Sequence, residues 1–362
     1  MKNINEFRFG LNYVPSKRWY YCWNDFKADE IAEDLDAVAA CGADHIRLMT
    51  IWSFFHPDPD WVSPAHLKRL GVVMDLAKER GIDVLVTAFN GWLTGHKFVP
   101  SWQKNREFYT DTFMNEKQEF YLRELAKTVA GRENFIGFDL GNEMNCCWGA
   151  AEEHGTAWST RMLKLCNELA PEAIHVNGVN HAPFFKKGTF SAEALARDQK
   201  IVSLHAWVEF TGALKRGGPL SPQSVQLAAA MTAIAKAYAH DPAKPVWIQE
   251  FGASEDWMSA EIIPDFMEQT IRNAVKAGAT WFTWWCSHDI TREFCMEELE
   301  YTLGLMTINN KRKPQAETFR KLAEEFRSQD PADIQIPEIP SPPENYDTET
   351  TWQWIEDWIK DK

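Results

Sequence analysis

The sequence predicts a (β/α)8 TIM barrel of the α/β class, followed by a C-terminal proline-rich strap and a short helix. Three observations predict it. Eight short apolar runs that read as strands alternate with amphipathic stretches that read as helices. The starts of these runs lie roughly 25 to 50 residues apart, about the size of one βα unit. Polar, chemistry-bearing residues gather at the C-terminal ends of several runs, where the strands of such a barrel open on one shared mouth.

In chain order the predicted strands are Phe7–Asn12, His45–Thr50, Asp83–Phe89, Phe135–Gly141, Ala173–Val179, Ile201–Ala206, Val246–Phe251 and Thr280–Trp285. Between and after them, apolar residues return at three- and four-residue intervals over Asp29–Cys41, Ala65–Arg80, Lys117–Ala130, Ala157–Leu169, Val225–Ala239, Ile262–Ala277 and Ala316–Arg327, as helices demand. Ser63-Pro64 supplies an N-cap and a first-turn proline. Gly42, Gly81, Gly131 and Gly278 follow helices, where a left-handed residue is wanted. A doubly wound open sheet is the rival architecture. It calls for a Gly-rich phosphate turn after an early strand, and the chain has none.

The reading divides the chain into a catalytic barrel, 1–329, and an extension, 330–362. From Asp330 the composition turns proline-rich, and Pro331–Pro343 reads as an extended strap. Thr348–Lys360 then reads as a helix with Trp352, Ile355, Trp358 and Ile359 on one face. That face is expected to dock on the barrel; the alternative is a contact between subunits of a homo-oligomer.

Bulk properties exclude several function classes. A net charge of -14 repels phosphate backbones, so no nucleic acid partner is expected. No apolar run reaches the roughly 18 residues that a membrane span needs, so no membrane association is expected either. The N-terminal segment lacks an apolar signal core, so a cytoplasmic location is expected. Seven cysteines without a C-x-x-C pair read as reduced thiols, with Cys147 or Cys286 as a nucleophile the sharper alternative. The 17 tryptophans are above ordinary usage. Most will pack the core, but Trp19, Trp23, Trp92, Trp102, Trp148, Trp207 and Trp257 lie just after strands, where flat faces suit sugar rings.

The chemistry is carried by two segments, Phe138-Asp-Leu-Gly-Asn-Glu-Met144 and Val246-Trp-Ile-Gln-Glu-Phe-Gly252. Each is a largely apolar run that delivers a glutamate, Glu143 or Glu250, near its tip. A carboxylate there is costly to desolvate unless partners hold it. From the fourth and seventh strands the two converge across the mouth. Paired carboxyl groups are what cleavage of a glycosidic bond requires, retaining at about 5 Å separation and inverting at about 6.5–9.5 Å. Arg47 on the second strand is placed to hold one glutamate ionised. Asn90, Asn142, His205, Trp207 and Trp285 complete the strand-end set, and His96, His181 and His288 lack the compact spacing of a metal site. No metal and no cofactor is expected.

The Gly141-Asn142-Glu143 end of one strand, with Gln249-Glu250-Phe-Gly ending another, resembles the retaining β-glycosidases of glycoside hydrolase clan A. The Arg of His45-Ile-Arg-Leu48, His205 and the Trp of Trp285-Cys-Ser-His-Asp289 match as well, over roughly residues 7–327. Within the clan the chain looks most like family 5, and Phe89-Asn-Gly-Trp92 is similar to its β-mannan-active members. The resemblance implies that Glu250 is the nucleophile, Glu143 the acid/base, Asn142 the ligand of the sugar 2-hydroxyl and Trp285 the floor of the site. It also implies that Trp285, and not Trp284, points inward. That family carries His-x-Tyr on the sixth strand, where this chain has His205-Ala206-Trp207. Either another hydroxyl, such as that of Tyr13 or Tyr301, takes the tyrosine's contact with the nucleophile, or none does.

A cytoplasmic glycosidase meets short sugars, which favours exo action on a small β-linked oligosaccharide. The expected activity is that of a β-mannosidase on mannose β-linked to glucose or N-acetylglucosamine. An endo-β-mannanase or β-glucanase is the rival enzyme, and a non-catalytic carbohydrate-binding barrel the rival of another class.

Overall fold

A computed structural model describes residues 3–90, 92–343 and 346–360; Gly91 of the Asn-Gly-Trp segment and the ends of the 1–329 and 330–362 units lie outside the described residues. Counted by barrel position, the first four strands are Arg8–Asn12, His45–Met49, Asp83–Phe89 and Phe135–Gly141. The sixth, seventh and eighth are Val202–His205, Val246–Phe251 and Ala279–Trp284. All seven are parallel, in the spatial order 4-3-2-1-8-7-6, with helices in the connections. This is a curled sheet open only between its fourth and sixth strands, the (β/α)8 barrel that the alternation predicts.

The gap is filled by the segment expected to be the fifth strand, Ala173–Val179. It joins the fourth strand through backbone bonds: Ile174 N–H to Ile136 O at 2.8 Å, Val176 N–H to Phe138 O at 2.9 Å and Leu140 N–H to Val176 O at 2.9 Å. On its other side no backbone–backbone bond reaches the sixth strand among the described residues. Side chains close the ring there. Gln199 Oε1 accepts from Asn177 N–H at 3.0 Å, and Ser203 Oγ donates to Asn177 O at 3.1 Å.

The barrel interior changes character along its axis. At one end Leu85, Ile136, Ile174, Val176, Ile201, Trp247 and Trp281 form a dry apolar layer. The His45 ring sits edge-on to Trp247 with centroids 5.4 Å apart. Gly10 makes room for it, since a Cβ there would fall 2.3 Å from the imidazole. Toward the mouth the interior turns polar, with Asn12, Arg47, Thr87 and Asp139 fully buried.

Helix ends follow the sequence signals in part. Ser63 caps Pro64–Glu79 by accepting from His66 N–H. Gly42, Gly81 and Gly278 adopt left-handed φ values, whereas Gly131 does not. Two helices begin earlier than their apolar periodicity implies. Thr112–Val129 starts at the Asp111 cap, and Glu152–Leu169 starts in a polar first turn. Residues 334–343 have no regular structure and lead to the helix Thr348–Lys360. Trp352, Ile355 and Trp358 of that helix are buried, and Trp352 Nε1 donates to Thr211 O at 3.0 Å.

Candidate active site

Glu143 leaves the fourth strand in a left-handed conformation, φ 45° and ψ 43°, that ordinary residues adopt rarely. The turn is pinned because its N–H donates to Gly178 O at 2.7 Å, a bond carried by the fifth segment. Glu250 stays in the seventh strand, where its carbonyl accepts from Ala206 N–H at 2.7 Å. The side chains converge as expected. Carboxylate oxygens of Glu143 and Glu250 and a ring nitrogen of His205 all lie within 4.8 Å of one another. At that proximity the two carboxyl groups can act on one bond.

The two carboxyl groups have different surroundings. Glu250 Oε1 is paired with Arg47 Nη1. Its Oε2 accepts from Trp207 Nε1–H at 3.0 Å and lies 3.2 Å from His205 Nδ1. Glu143 Oε1 lies 2.8 Å from the same His205 Nδ1, and its Oε2 is 3.8 Å from Cys146 Sγ. The Trp207 bond answers the question posed by the missing tyrosine. Neither Tyr13 nor Tyr301 substitutes: the Tyr13 hydroxyl donates to Asp34 at 3.0 Å and the Tyr301 hydroxyl to Phe294 O at 2.7 Å.

Arg47 is fully buried and does not line the pocket; it stands behind Glu250. Its Nε donates to Asp139 Oδ2 at 2.7 Å and its Nη1 to Asn12 Oδ1 at 3.1 Å. Asp139 in turn accepts from Thr87 Oγ1 and from Gly178 N–H, at 3.1 and 2.7 Å. Asp139 and Asn12 were not singled out from the sequence. An aspartate inside the apolar run Phe135–Gly141 was the available signal, because a charge there demands a partner.

Proton affinities across the trio are linked. Burial pushes the Glu250 carboxyl up, and His205 and Arg47 only partly offset it. Burial also pushes Glu143 up, but the His205 bond and charge outweigh it and leave this carboxyl below its ordinary value. His205 is raised: burial opposes its charge, and Glu250 and Glu143 more than restore it. The lowered Glu143 and the raised His205 favour the charged pair across their bond, while burial draws the Glu250 carboxyl toward its acid form.

The remaining predicted residues divide between pocket and frame. Trp92, Asn142, Trp207 and Trp285 line the pocket with Glu143 and Glu250. Asn142 Nδ2 donates to Trp92 O at 2.9 Å, which leaves its buried Oδ1 without a protein partner. Trp285 faces the pocket, while Trp284 packs away from it against Phe251, centroids 5.1 Å apart. Asn90 is fully buried and donates to Thr50 O and Thr87 O, bracing the loop outside the pocket. His205 is also sealed, its Nε2 lying 3.0 Å from Gln249 Oε1.

His96, His181 and His288 are not brought together. His96 contacts Cys295 O, His288 contacts Val14 O, and only His181 lies near Glu143. Among the described residues the one grouping with metal-like proximity is Glu143, His205 and Glu250, whose atoms already bond one another. Burial pushes the Cys147 thiol up to about 11 and the Cys286 thiol well up, which disfavours the thiolate a cysteine nucleophile needs.

No helix among the described residues is long and apolar enough to cross a membrane. Against known proteins, residues 3–289 match the model of the Cellulase family, glycosyl hydrolase family 5. No curated protein sequence matches the chain. Among solved structures, a variant of GH5_18 from Streptomyces cattleya in complex with Manβ1-4GlcNAc is 32% identical, with a TM-score of 0.90 over 98% of this chain and 91% of that one. A GH5_18 variant from Bifidobacterium longum subsp. longum, also in complex with Manβ1-4GlcNAc, is 26% identical, with a TM-score of 0.86 over 98% and 88%. An exo-β-1,4-mannosidase of an Opitutaceae bacterium shares the fold at 24% identity, with a TM-score of 0.79 over 91% and 62%. Fold, paired strand-end carboxyl groups and family match agree, and the chain is a glycoside hydrolase belonging to glycoside hydrolase family 5.

Proposed function

We propose that this glycosidase is a retaining exo-β-mannosidase that releases mannose from short β-mannosides, with mannose β-linked to N-acetylglucosamine or glucose as the substrate class. The observation that carries the mechanism is the approach of Glu143, His205 and Glu250 within 4.8 Å, with Arg47 and Trp207 bonded to Glu250 and not to Glu143. The sugar is supported by the likeness to GH5_18 proteins in complex with Manβ1-4GlcNAc. Exo action fits the size of the disaccharide in those complexes.

In this reading Glu250 is the nucleophile. Burial favours its acid form; the Arg47 and His205 charges and the Trp207 donor oppose burial and hold the anion that attacks, and neither Arg47 nor Trp207 gives up its proton at working pH. Glu143 is the acid/base. The proton on the His205–Glu143 bond shifts to Glu143 Oε1 and passes to the glycosidic oxygen as Glu250 attacks the anomeric carbon. His205 is then neutral, Glu143 anionic and Glu250 an ester. Loss of the Glu250 charge removes the strongest influence holding a proton on His205. Glu143 next takes a proton from water, whose oxygen displaces Glu250 from the sugar. Asn142 Oδ1, buried and unpartnered, accepts from the sugar 2-hydroxyl. Trp285 forms the floor beneath the ring.

The test is a panel of aryl β-glycosides and β-linked disaccharides, with the released sugar followed by proton NMR. Mannose released first as the β-anomer from the non-reducing end supports the proposal. First release of the α-anomer would rule out retention, and activity confined to long mannans or glucans would favour an endo enzyme.

A further inference from the structure

One carboxyl group in the pocket has no part in this mechanism. Glu300 lies in the 3-10 turn Glu298–Thr302, beyond the eighth strand, and lines the same pocket as Glu143, Glu250 and Trp285. Its Oε2 is sealed from solvent and has no hydrogen-bond partner among the described residues. The nearby cations are engaged elsewhere: Lys313 with Asp289 and Glu255, Arg292 with Glu298. The titratable groups that face it are Glu297 of its own turn, Glu250 and Glu143 across the pocket, and Tyr20 and Cys286 from the adjoining elements. None of these is a cation.

A buried carboxyl oxygen without a protein partner is costly, and hydrogen-bonding groups brought into the pocket it lines relieve that cost. Sugar hydroxyls both donate and accept. The position also fixes which part of the substrate it meets. The leaving group must lie beside Glu143, flanked by Cys146 and His181 from the ends of the fourth and fifth segments. Glu300 enters from the segment after the eighth strand and shares the pocket lining with Trp285. We propose that Glu300 binds the glycone, hydrogen-bonding ring hydroxyls of the sugar seated on Trp285 and so selecting a free non-reducing end. This inference rests on the glycosidase reading above and deepens it.

The state of Glu300 gives the proposal a signature. Burial, then Glu297, Glu250 and Glu143, push its carboxyl up to about 8. At neutral pH it is an acid with one donor and one acceptor, matched to two hydroxyls. Above that value it becomes a third anion facing Glu250, and glycone binding weakens.

The experiment uses the full chain and the best aryl β-glycoside of the panel, with kcat and KM measured from pH 6 to pH 10. In E300A, KM is expected to rise roughly tenfold to a hundredfold, the scale of losing one or two hydrogen bonds to the sugar, with a smaller change in kcat. E300Q keeps a donor and an acceptor and should lose less. Its KM should also lack the rise that the wild-type enzyme shows above about pH 8. Thermal melts of both variants report folding, and the isosteric E300Q carries the test if E300A does not fold. An active wild type whose KM is unmoved in both variants, or whose alkaline rise persists in E300Q, overturns this inference alone. A wild type inactive on every glycoside overturns the glycosidase reading and this inference with it.

Discussion

The Trp207 indole donates its N–H to Glu250 Oε2 at 3.0 Å, so a ring that also walls the pocket orients the proposed nucleophile. An indole nitrogen only donates, whereas a phenol also accepts and ionises. Here the contact has one polarity at every pH. Trp207→Phe keeps most of the ring and deletes the donor. A hydrogen bond to a charged group contributes about 1.5–3 kcal/mol, so kcat should fall roughly tenfold to a hundredfold, with KM changed less and the melting temperature nearly kept. A variant with wild-type kcat would show that Arg47 alone positions the carboxylate.

The two glutamates should separate by leaving group. Glu250→Ala is expected to abolish turnover of every substrate. Glu143→Ala should lose far more on a disaccharide than on a nitrophenyl glycoside, whose leaving group needs no proton. Steady-state kinetics on both substrates decide the matter, and equal losses would argue against the acid role.

Gly178 holds a position that no side chain fits. A Cβ there would stand 2.7 Å from Arg47 Nη2 and 2.8 Å from both Asp139 carboxylate oxygens. Gly178→Ala should destabilise the fold by about 1–3 kcal/mol, the usual cost of overpacking, and lower kcat by displacing Arg47 from Glu250. Urea unfolding and kinetics on the same preparation check both halves. Normal values for both would mean that the strand shifts without cost.

At the far end of the barrel, acid should weaken the fold through Asp44. Burial disfavours its charge, but His45, Arg8 and Arg327 outweigh burial and hold its carboxyl far below the usual range. A depressed carboxylate stabilises the fold above the unfolded-state value near 3.9. That contribution is lost as pH falls through the folded-state value. Asp44→Asn should therefore cost about 1–2 kcal/mol at pH 7, less than a fully buried pair because Asp44 and Arg327 are partly exposed. The gap to wild type should narrow steadily below about pH 4. Denaturant midpoints across that range would expose a constant gap, which would mean packing and not charge.

Glu143 and Glu250 were legible because a buried strand that delivers a carboxylate is chemically conspicuous. Strand positions were legible because apolar runs between helical periods leave few alternatives. The early starts of Thr112–Val129 and Glu152–Leu169 were hidden because polar first turns carry no apolar rhythm. The role of Trp207 as a donor was hidden for another reason: which edge of an indole meets a carboxylate depends on three-dimensional orientation. Glu300 sits in the acidic stretch Glu297-Glu-Leu-Glu300, which in a sequence looks like a solvated surface. Only folding turns that one glutamate inward.

The joint between the fifth and sixth barrel positions gives this enzyme an adjustable gauge. A ring fastened throughout by backbone has a circumference that substitution hardly alters. Here one fastening is made by Gln199 and Ser203, and the segment they hold also carries the Gly178 carbonyl from which Glu143 hangs. The segment that anchors Glu143 is thus held partly by two side chains that do not line the pocket. Lengthening or shortening them offers evolution, or an engineer, a way to retune the reach of the acid without touching a residue of the pocket.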